Sequence, residues 1–295
     1  MTNRAPRLGA HMSVGGGFVR AVERARLHAC ESLQIFAKNA SQWRGRPIAA
    51  DEARRFRDAV DACGLAPVVS HASYLINLAS TAPALRAQSI AALIDELERA
   101  DTLGLQGVVL HPGTCTAGTE DDALRLVADG IREAFTARPA QRATLLVEHT
   151  AGQGRTVGHR FEHLAAILDH LERTPLVGVC LDTCHLHAAG YDLTTEAGYD
   201  ATFAAFDRLV GFERLAVIHA NDSKKALGSR VDRHAHIGEG TIGLEPFARL
   251  LRDPRFAGLP FLLETAKAES AGNPRLVMPD PLDTMNLETL RRLRG

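Results

Sequence analysis

The sequence predicts an α/β protein that forms one closed (β/α)₈ barrel over residues 1–295. Six short apolar segments each end on His, Glu or Asp, and these end residues recur 34 to 45 residues apart. An interval of that length holds one strand and one helix. Two similar segments precede the six, which gives eight strand–helix units in all. An open, doubly wound sheet is the alternative, but it places ligands only near a switch point and does not explain six such endings.

The predicted strands are buried and parallel. The first two cover residues 8–11 and 32–36. The other six cover residues 68–71, 108–111, 145–148, 179–182, 216–219 and 261–264. Helical periodicity between them predicts helices at about residues 17–29, 50–63, 84–103, 120–138, 158–173, 199–210, 244–252 and 285–293.

Local signals support several of these helix boundaries. Thr119 precedes three acidic residues, which favour the positive end of a helix dipole. Gly64 and Gly104 are expected to end their helices in the left-handed conformation. The two longest irregular segments, 220–243 and 265–284, both follow strands, so they are expected to lie on the catalytic face of the barrel.

Composition excludes some classes of protein. The net charge of −1 means that a nucleic-acid partner would need a local basic face. Five cysteines, an odd number without a Cys-x-x-Cys pair, indicate free thiols in a reducing compartment. There is no apolar N-terminal run and no stretch of membrane-spanning length, so we expect a cytoplasmic protein without a membrane partner.

The residues that end the strands form a candidate metal centre. Barrel enzymes build their active sites at the C-terminal ends of the strands, so these side chains should converge. Asp232 and His234 lie two apart in an extended segment and can face the same ion. The complete predicted ligand set is His71, His111, Glu148, Asp182, His185, His219, Asp232, His234 and Glu264.

The size and chemistry of this set indicate several ions. One catalytic ion takes about three protein ligands, so nine candidates suit three ions, with one carboxylate shared by two of them. Mixed nitrogen and oxygen ligands without thiolate fit zinc or manganese. His11, at the end of the first strand, is expected to line the pocket or to support a ligand.

Two other features suggest different chemistry. Cys180 and Cys184 flank Asp182, but they are interpreted as small buried residues and not as thiolate ligands. Lys38 follows the second strand, where some barrel aldolases hold a Schiff-base lysine. The metal candidates beside it make that role a minor alternative.

Longer motifs surround the candidate ligands and carry a family resemblance. They include Cys180-Leu181-Asp182-Thr183-Cys184-His185, His219-Ala220-Asn221-Asp222-Ser223-Lys224, Asp232-Arg233-His234, His71-Ala72-Ser73-Tyr74-Leu75 and His111-Pro112-Gly113. On these motifs the chain resembles the endonuclease IV family of apurinic/apyrimidinic (AP) endonucleases. The similarity runs from residue 9 to residue 265.

The resemblance implies a barrel fold, a metal cofactor and a DNA substrate. It implies three Zn²⁺ ions, with Mn²⁺ as an option at one site. One ion would be bound by His71, His111 and Glu148. A second would be bound by Glu148, Asp182, His219 and Glu264, and the third by His185, Asp232 and His234. The implied substrate is double-stranded DNA that contains an abasic site, cut on its 5′ side by a monomer.

The resemblance also implies residues that contact DNA. Tyr74 and Leu75 would enter the DNA at the lesion. Further expected contacts are Gln42, Arg44, Lys224, Arg230 and Arg233. The family often has an arginine before its Gln-Trp pair, whereas here Ser41 holds that position, so Arg44 or Arg46 is expected to replace it.

Two alternatives remain open at this point. A divalent-metal sugar isomerase or epimerase could use the same type of barrel, with fewer ions and a small closed pocket. The second alternative is a protein that binds damaged DNA without cutting it. Nine ligands and the Tyr74-Leu75 loop favour the nuclease over the isomerase, and the intact ligand set argues against the non-catalytic binding protein.

Overall fold

The barrel predicted from the sequence is confirmed. A computed structural model of the chain describes residues 5–268 and 277–295. The barrel strands are β1 Arg7–His11, β2 Ser32–Phe36, β3 Val68–His71, β4 Gly107–Leu110, β5 Thr144–Glu148, β6 Val177–Asp182, β7 Leu215–His219 and β10 Pro260–Leu263, while β8 Asp222–Ser223 and β9 His234–Ala235 lie outside the barrel. The eight barrel strands are parallel and close on themselves in the order β1-β10-β7-β6-β5-β4-β3-β2.

Helices surround the barrel and follow the prediction closely. They are α1 Phe18–Leu27, α2 Ala50–Cys63, α3 Pro83–Leu103, α4 Glu120–Ala137, α5 Phe161–His170, α6 Thr183–Ala189, α7 Glu196–Leu209, α8 Leu244–Arg252 and α9 Pro281–Arg294. The prediction missed α6. It also made α5 too long, because Gly158, Glu172 and Arg173 have positive φ angles and cannot continue a helix.

The predicted helix boundaries have the expected chemistry. Thr119 begins α4 with a capping box: its hydroxyl accepts a hydrogen bond from the Asp122 backbone N–H, and the Asp122 carboxylate accepts one from the Thr119 N–H. Gly64 and Gly104 end α2 and α3 in the left-handed conformation, with φ of 64° and 72°.

A layer of apolar side chains inside the barrel sets the direction of the predicted ligands. The layer consists of Val69, Val109, Leu146, Cys180, Val217 and Leu262. Each of the six lies two positions before a residue of the predicted ligand set. Residues i and i+2 of a strand point to the same side. The ligand side chains therefore point into the barrel, one level above this layer.

The long segment after β7 folds into a short hairpin that the sequence did not reveal. Asp222–Ser223 (β8) pairs antiparallel with His234–Ala235 (β9). The buried Asp222 carboxylate accepts hydrogen bonds from the backbone N–H groups of Gly238, Gly240 and Ile242 at 2.9–3.0 Å. This hairpin returns the chain to the barrel mouth and brings His234 to the centre.

The second long segment is described only in part. Of the predicted loop 265–284, residues 269–276 lie outside the described residues, and residues 281–284 belong to α9. Within the described ranges, no helix combines the length and the apolar character needed to cross a membrane.

Candidate metal centre

Glu148 lies at the middle of the candidate centre. Its Oε2 is 3.2 Å from His71 Nε2 and 2.9 Å from His111 Nε2. Its Oε1 is 3.0 Å from His219 Nδ1 and 3.4 Å from His185 Nδ1. The side chain is fully buried. Each carboxylate oxygen thus faces its own pair of imidazoles, an arrangement suited to a ligand shared by two ions.

The histidines keep the buried carboxyl group of Glu148 ionised. Burial alone would raise its pKa, because it disfavours the charged form. Interaction with His111 and His219 outweighs burial and holds the pKa of Glu148 well below its ordinary value. The residue is therefore an anion at neutral pH.

A second group of side chains lies on the side of the hairpin. The Asp232 carboxylate lies between two imidazoles, 3.2 Å from His185 Nε2 and 3.1 Å from His234 Nε2. His234 Nε2 is also 3.6 Å from Asp182 Oδ2. Burial lowers the pKa of His234, but Asp182 and Asp232 outweigh it and raise that pKa to about 9.

The remaining candidates connect these two groups. His219 Nδ1 is 3.2 Å from Glu264 Oε2 and 4.0 Å from Asp182 Oδ2. All nine predicted ligands therefore lie in one contiguous cluster at the barrel mouth. Ligand atoms within 4.8 Å of one another occur in the sets His71, His111, Glu148 and His185, Asp232, His234.

Hydrogen bonds around the cluster orient the imidazoles. His71 Nδ1 lies 2.8 Å from the Ala72 carbonyl, and His185 Nδ1 lies 2.8 Å from the His149 carbonyl. A ring nitrogen that donates to a carbonyl leaves the lone pair of the other nitrogen facing the centre, as is usual for metal-binding histidines. His234 Nε2 is buried and makes no well-directed hydrogen bond, although Asp232 is near. These observations fit a bound metal.

Two supporting residues were missed by the sequence analysis. Gln34 contacts His219 at 2.9 Å and donates a hydrogen bond to Glu264. Asn221 donates to Asp182 Oδ2 at 2.6 Å and accepts from the Glu264 backbone N–H at 2.8 Å. A fully buried glutamine inside the apolar β2 segment is the signal that could have revealed the first. His11 lies beside them, 3.1 Å from Gln34.

The two cysteines near the cluster are buried, as expected. Burial raises the pKa of both the Cys180 and the Cys184 thiols to about 12. Cys180 belongs to the apolar layer inside the barrel. Their sulfur atoms also lie within 4.8 Å of predicted ligand atoms, Cys180 beside Glu148 and His219, and Cys184 beside Asp182 and His234. Their interpretation as packing residues therefore stays a prediction. All five cysteines of the chain are free thiols.

The residues expected to contact DNA are mostly exposed around the centre. Tyr74 is 59% exposed, and its ring centroid lies 5.0 Å from that of His71 and 5.8 Å from that of His111. Leu75 is half-buried beside it. The other expected contacts are all exposed: Gln42, Arg44, Lys224, Arg230 and Arg233.

The two arginines proposed to replace the family's arginine have different surroundings in the structure. Arg46 is bound to Glu52 at 2.6 Å, so its charge is already partly neutralised. Arg44 is exposed, two residues after Gln42. We therefore retain Arg44 as the expected substitute.

The side chain of Lys38 forms ion pairs with two carboxylates. Its amine is buried, 2.7 Å from Asp95 and 3.3 Å from Glu96. The amine is therefore occupied by ion pairs with two carboxylates and is not free to attack a carbonyl. The minor Schiff-base alternative therefore finds no support.

Comparisons with known proteins agree with this arrangement. A family model described as "Xylose isomerase-like TIM barrel" matches residues 22–288. The probable endonuclease 4 of Chloroflexus aurantiacus is 48% identical over 288 residues, which cover 98% of each chain. The probable endonuclease 4 of Geobacter sulfurreducens is 45% identical over 286 residues, which cover 97% of this chain and 94% of that protein.

Among solved structures, some share the family of this chain and others share only its fold. Endonuclease IV from Thermus thermophilus superposes with a TM-score of 0.84 at 40% identity, covering 98% of each chain. A D-psicose 3-epimerase has a TM-score of 0.68 at 16% identity, so that likeness concerns the fold alone. The chain therefore belongs to the endonuclease IV family of AP endonucleases and is a DNA-hydrolysing enzyme.

Proposed function

We propose that this enzyme is a zinc-dependent AP endonuclease. It hydrolyses the phosphodiester bond on the 5′ side of an abasic site in double-stranded DNA and leaves a 3′-hydroxyl and a 5′-deoxyribose phosphate. It also removes blocking groups from 3′ ends. In this proposal it acts in base excision repair as a cytoplasmic monomer of one barrel domain. The observation that carries the proposal is the convergence of nine imidazoles and carboxylates into one cluster with Glu148 at its middle.

We assign the nine residues to three sets, with Glu148 shared by two of them. His71, His111 and Glu148 would hold one zinc ion, and His185, Asp232 and His234 another. Glu148, Asp182, His219 and Glu264 would hold the third, with Mn²⁺ as an option at one of the three sites. Zinc bound there supplies Lewis-acid chemistry: it lowers the pKa of a water nucleophile and neutralises charge that builds on the phosphoryl oxygens.

The protein's own residues fix the spacing and orientation of this machinery. The two oxygens of Glu148 face different pairs of histidines, so this residue sets the separation of two of the sets. Gln34 and Asn221 hold His219 and Asp182 in place. Such preorganisation reduces the reorganisation needed when the phosphodiester reacts.

Side chains at the rim of the barrel, around the entrance to the metal centre, would give the enzyme its selectivity for the abasic site. Turning a sugar out of the duplex costs least where the base is already missing. Tyr74 is exposed and its ring lies against His71 and His111, so it stands at the entrance to the metal centre. It can occupy the gap in the base stack, with Leu75 beside it, while nearby cations contact the backbone.

A sugar isomerase or epimerase is the second candidate, and the site favours it less. Enzymes of that kind bind a small molecule in a closed pocket with few ions. Here the centre opens at a rim that carries exposed Tyr74 and the cations Arg44, Lys224, Arg230 and Arg233. A polymer with a charged backbone fits such a rim better than a free sugar does.

One experiment tests the proposed function. Zinc per chain is measured by elemental analysis, and nicking is followed on a duplex oligonucleotide with one tetrahydrofuran abasic analogue. We expect about three zinc ions, cleavage 5′ of the analogue, loss of cleavage with a chelator, and its recovery with added zinc. An undamaged duplex of the same sequence is the control. Full activity in metal-free protein, or equal cleavage of both duplexes, would refute the proposal.

A further inference from the structure

A second cluster of titratable side chains lies outside the nine predicted ligands. It consists of His159, just before α5, His163 within α5, and Glu120 at the start of α4. Their ligand atoms lie within 4.8 Å of one another, close enough for a metal ion. Both histidines are buried, and Glu120 is exposed.

Hydrogen bonds leave no free imidazole lone pair for a metal in this cluster. The Gly158 N–H donates to His163 Nδ1 at 3.1 Å, so the proton of the neutral ring lies on Nε2, which faces Glu120 at 3.5 Å. His159 Nδ1 lies 2.9 Å from the Thr156 carbonyl and must donate to it. Its Nε2 then accepts from the Arg230 guanidinium at 2.6 Å.

The charge states of the two imidazoles agree with these bonds. Burial lowers the pKa of His159, and the nearby Arg230 lowers it further. Burial lowers the pKa of His163 to about 4. Both rings are therefore neutral at pH 7, as the acceptor roles require. The cluster is better explained by its bond to Arg230 than by a metal.

Arg230 lies on the exposed part of the loop that follows β7. The Arg230 backbone N–H donates to the Ala188 carbonyl at 2.8 Å, and its φ of 55° turns the chain sharply. Its side chain crosses to the loop that follows β5. There it packs on Gly152, where an added Cβ would lie 2.8 Å from His159 Cγ and 3.1 Å from Arg230 Nε. The contact thus depends on the bare backbone of a glycine.

The same two loops meet at another point. The Asp232 backbone N–H donates to the Gln153 side-chain oxygen at 3.3 Å. Both loops line a cavity of about 470 Å³ beside the metal centre, which also includes His111. The His159–Arg230 bond packs on Gly152, one of the residues that line this cavity, and so lies beside the site where the DNA backbone would pass.

We propose that His159 is a positioning residue that holds the Arg230 guanidinium at the rim of the metal centre, ready to contact a DNA backbone phosphate. The inference rests on the proposed function, because it needs DNA at this rim. A guanidinium has five N–H donors, so one bond to His159 leaves others for a phosphate. A side chain held in place before binding also loses less rotamer freedom when the DNA arrives.

The test compares four variants in two assays. They are His159→Leu, His159→Gln, Arg230→Ala and the double variant His159→Leu/Arg230→Ala. His159→Gln keeps an acceptor near the position of Nε2. His170→Leu is the control, since His170 is exposed at the far end of α5. One assay measures kcat and KM for nicking of the tetrahydrofuran duplex, and the other measures Kd for an undamaged duplex across salt concentrations. Zinc per chain is measured for every variant.

We expect His159→Leu to raise KM and Kd about threefold to tenfold with kcat and zinc unchanged. His159→Gln should recover most of the affinity. The double variant should bind no more weakly than Arg230→Ala, because both substitutions remove the same contact. Arg230→Ala should reduce the slope of log K against log salt by about one unit, and His159→Leu by less.

Several outcomes would overturn the inference. A lower zinc content in His159→Leu would make the cluster a metal site. Additive losses in the double variant, or wild-type affinity in His159→Leu, would show that His159 does not act through Arg230. The binding assay uses undamaged DNA, so it tests His159 even if the wild-type enzyme binds duplex and fails to nick it. A wild-type protein that neither binds nor nicks DNA refutes both proposals.

Discussion

The side-chain oxygen of Gln34 lies 2.9 Å from Nε2 of His219. An amide oxygen only accepts hydrogen bonds, so the proton of the neutral imidazole must lie on Nε2. The lone pair of Nδ1 then faces Glu148 and Glu264, at 3.0 and 3.2 Å. Gln34 thus selects the histidine tautomer that can bind a metal.

Replacing Gln34 should therefore weaken metal binding without removing a ligand. We expect Gln34→Ala to lower zinc affinity and nicking activity by about tenfold to a hundredfold, as is typical for partners of metal ligands. Competition with a chromogenic zinc chelator measures the affinity. Gln88→Ala, at an exposed position of α3, is the control and should match the wild type. Unchanged zinc affinity in Gln34→Ala would contradict this role.

Glu148→Gln tests the shared carboxylate. The substitution keeps the size of the side chain and removes the charge between the two pairs of histidines. Cleavage should fall by about a hundredfold to a thousandfold or more. DNA binding should be largely retained, because the exposed cations and Tyr74 are untouched. Single-turnover nicking and fluorescence anisotropy separate the two effects, with the exposed Glu288→Gln as control. Normal turnover in Glu148→Gln would exclude the bridging role.

Protein stripped of metal should lose stability as the pH rises. The pKa of His234 is about 9 beside Asp182 and Asp232, above the ordinary value of 6.5. Because folding raises this pKa, the protonated His234 ring stabilises the folded protein. This stabilisation is fully present below pH 6.5 and is lost as the pH rises to 9. We expect the Tm of chelator-treated protein to fall across this range, and His234→Gln to flatten the curve.

The metal-loaded enzyme provides the control for that pH profile. A bound ion requires the neutral ring, so the loaded protein should not show the same decline between pH 6.5 and 9. Scanning calorimetry at several pH values measures all three samples. A stripped His234→Gln protein with the same slope as the stripped wild type would assign the titration to another group.

Much of the barrel could be predicted because its signal is periodic. Six of the nine candidates stand at or just after the ends of strands that repeat at regular intervals, and all eight predicted barrel strands appear in the structure. The ligand direction could also have been read from the sequence, since Val69, Val109 and Leu146 each precede a predicted ligand by two positions. Spacing along a strand determines which side chains share a face.

The parts that escaped prediction depend on tertiary contacts. The β8–β9 hairpin has two residues on each side, too few for any period, and is held by the buried Asp222 carboxylate. The role of Gln34 arises only when β2 lies across the barrel from β7 and faces His219. The bond between His159 and Arg230 joins residues 71 positions apart. No local pattern encodes such a pairing.

The buried ion pair of Lys38 also links the fold to the rim. Glu96 is 3.3 Å from the Lys38 amine and accepts a hydrogen bond from the Ser73 backbone N–H at 3.0 Å. Ser73 immediately precedes Tyr74. The pair therefore anchors the loop that presents Tyr74 at the entrance to the metal centre.

Removing one member of this pair should destabilise the protein strongly. Both Lys38 and Glu96 side chains are 1% exposed, so Lys38→Met leaves a carboxyl group buried with its cation missing. We expect a loss of about 3 kcal/mol in the free energy of unfolding, measured with urea. Lys38→Met/Glu96→Gln should recover part of that loss, whereas Lys225→Met, at an exposed position, should change stability by less than about 0.5 kcal/mol. If Lys38→Met unfolded at the wild-type urea concentration, the lysine would have no structural role, and its function would have to be sought in binding or catalysis.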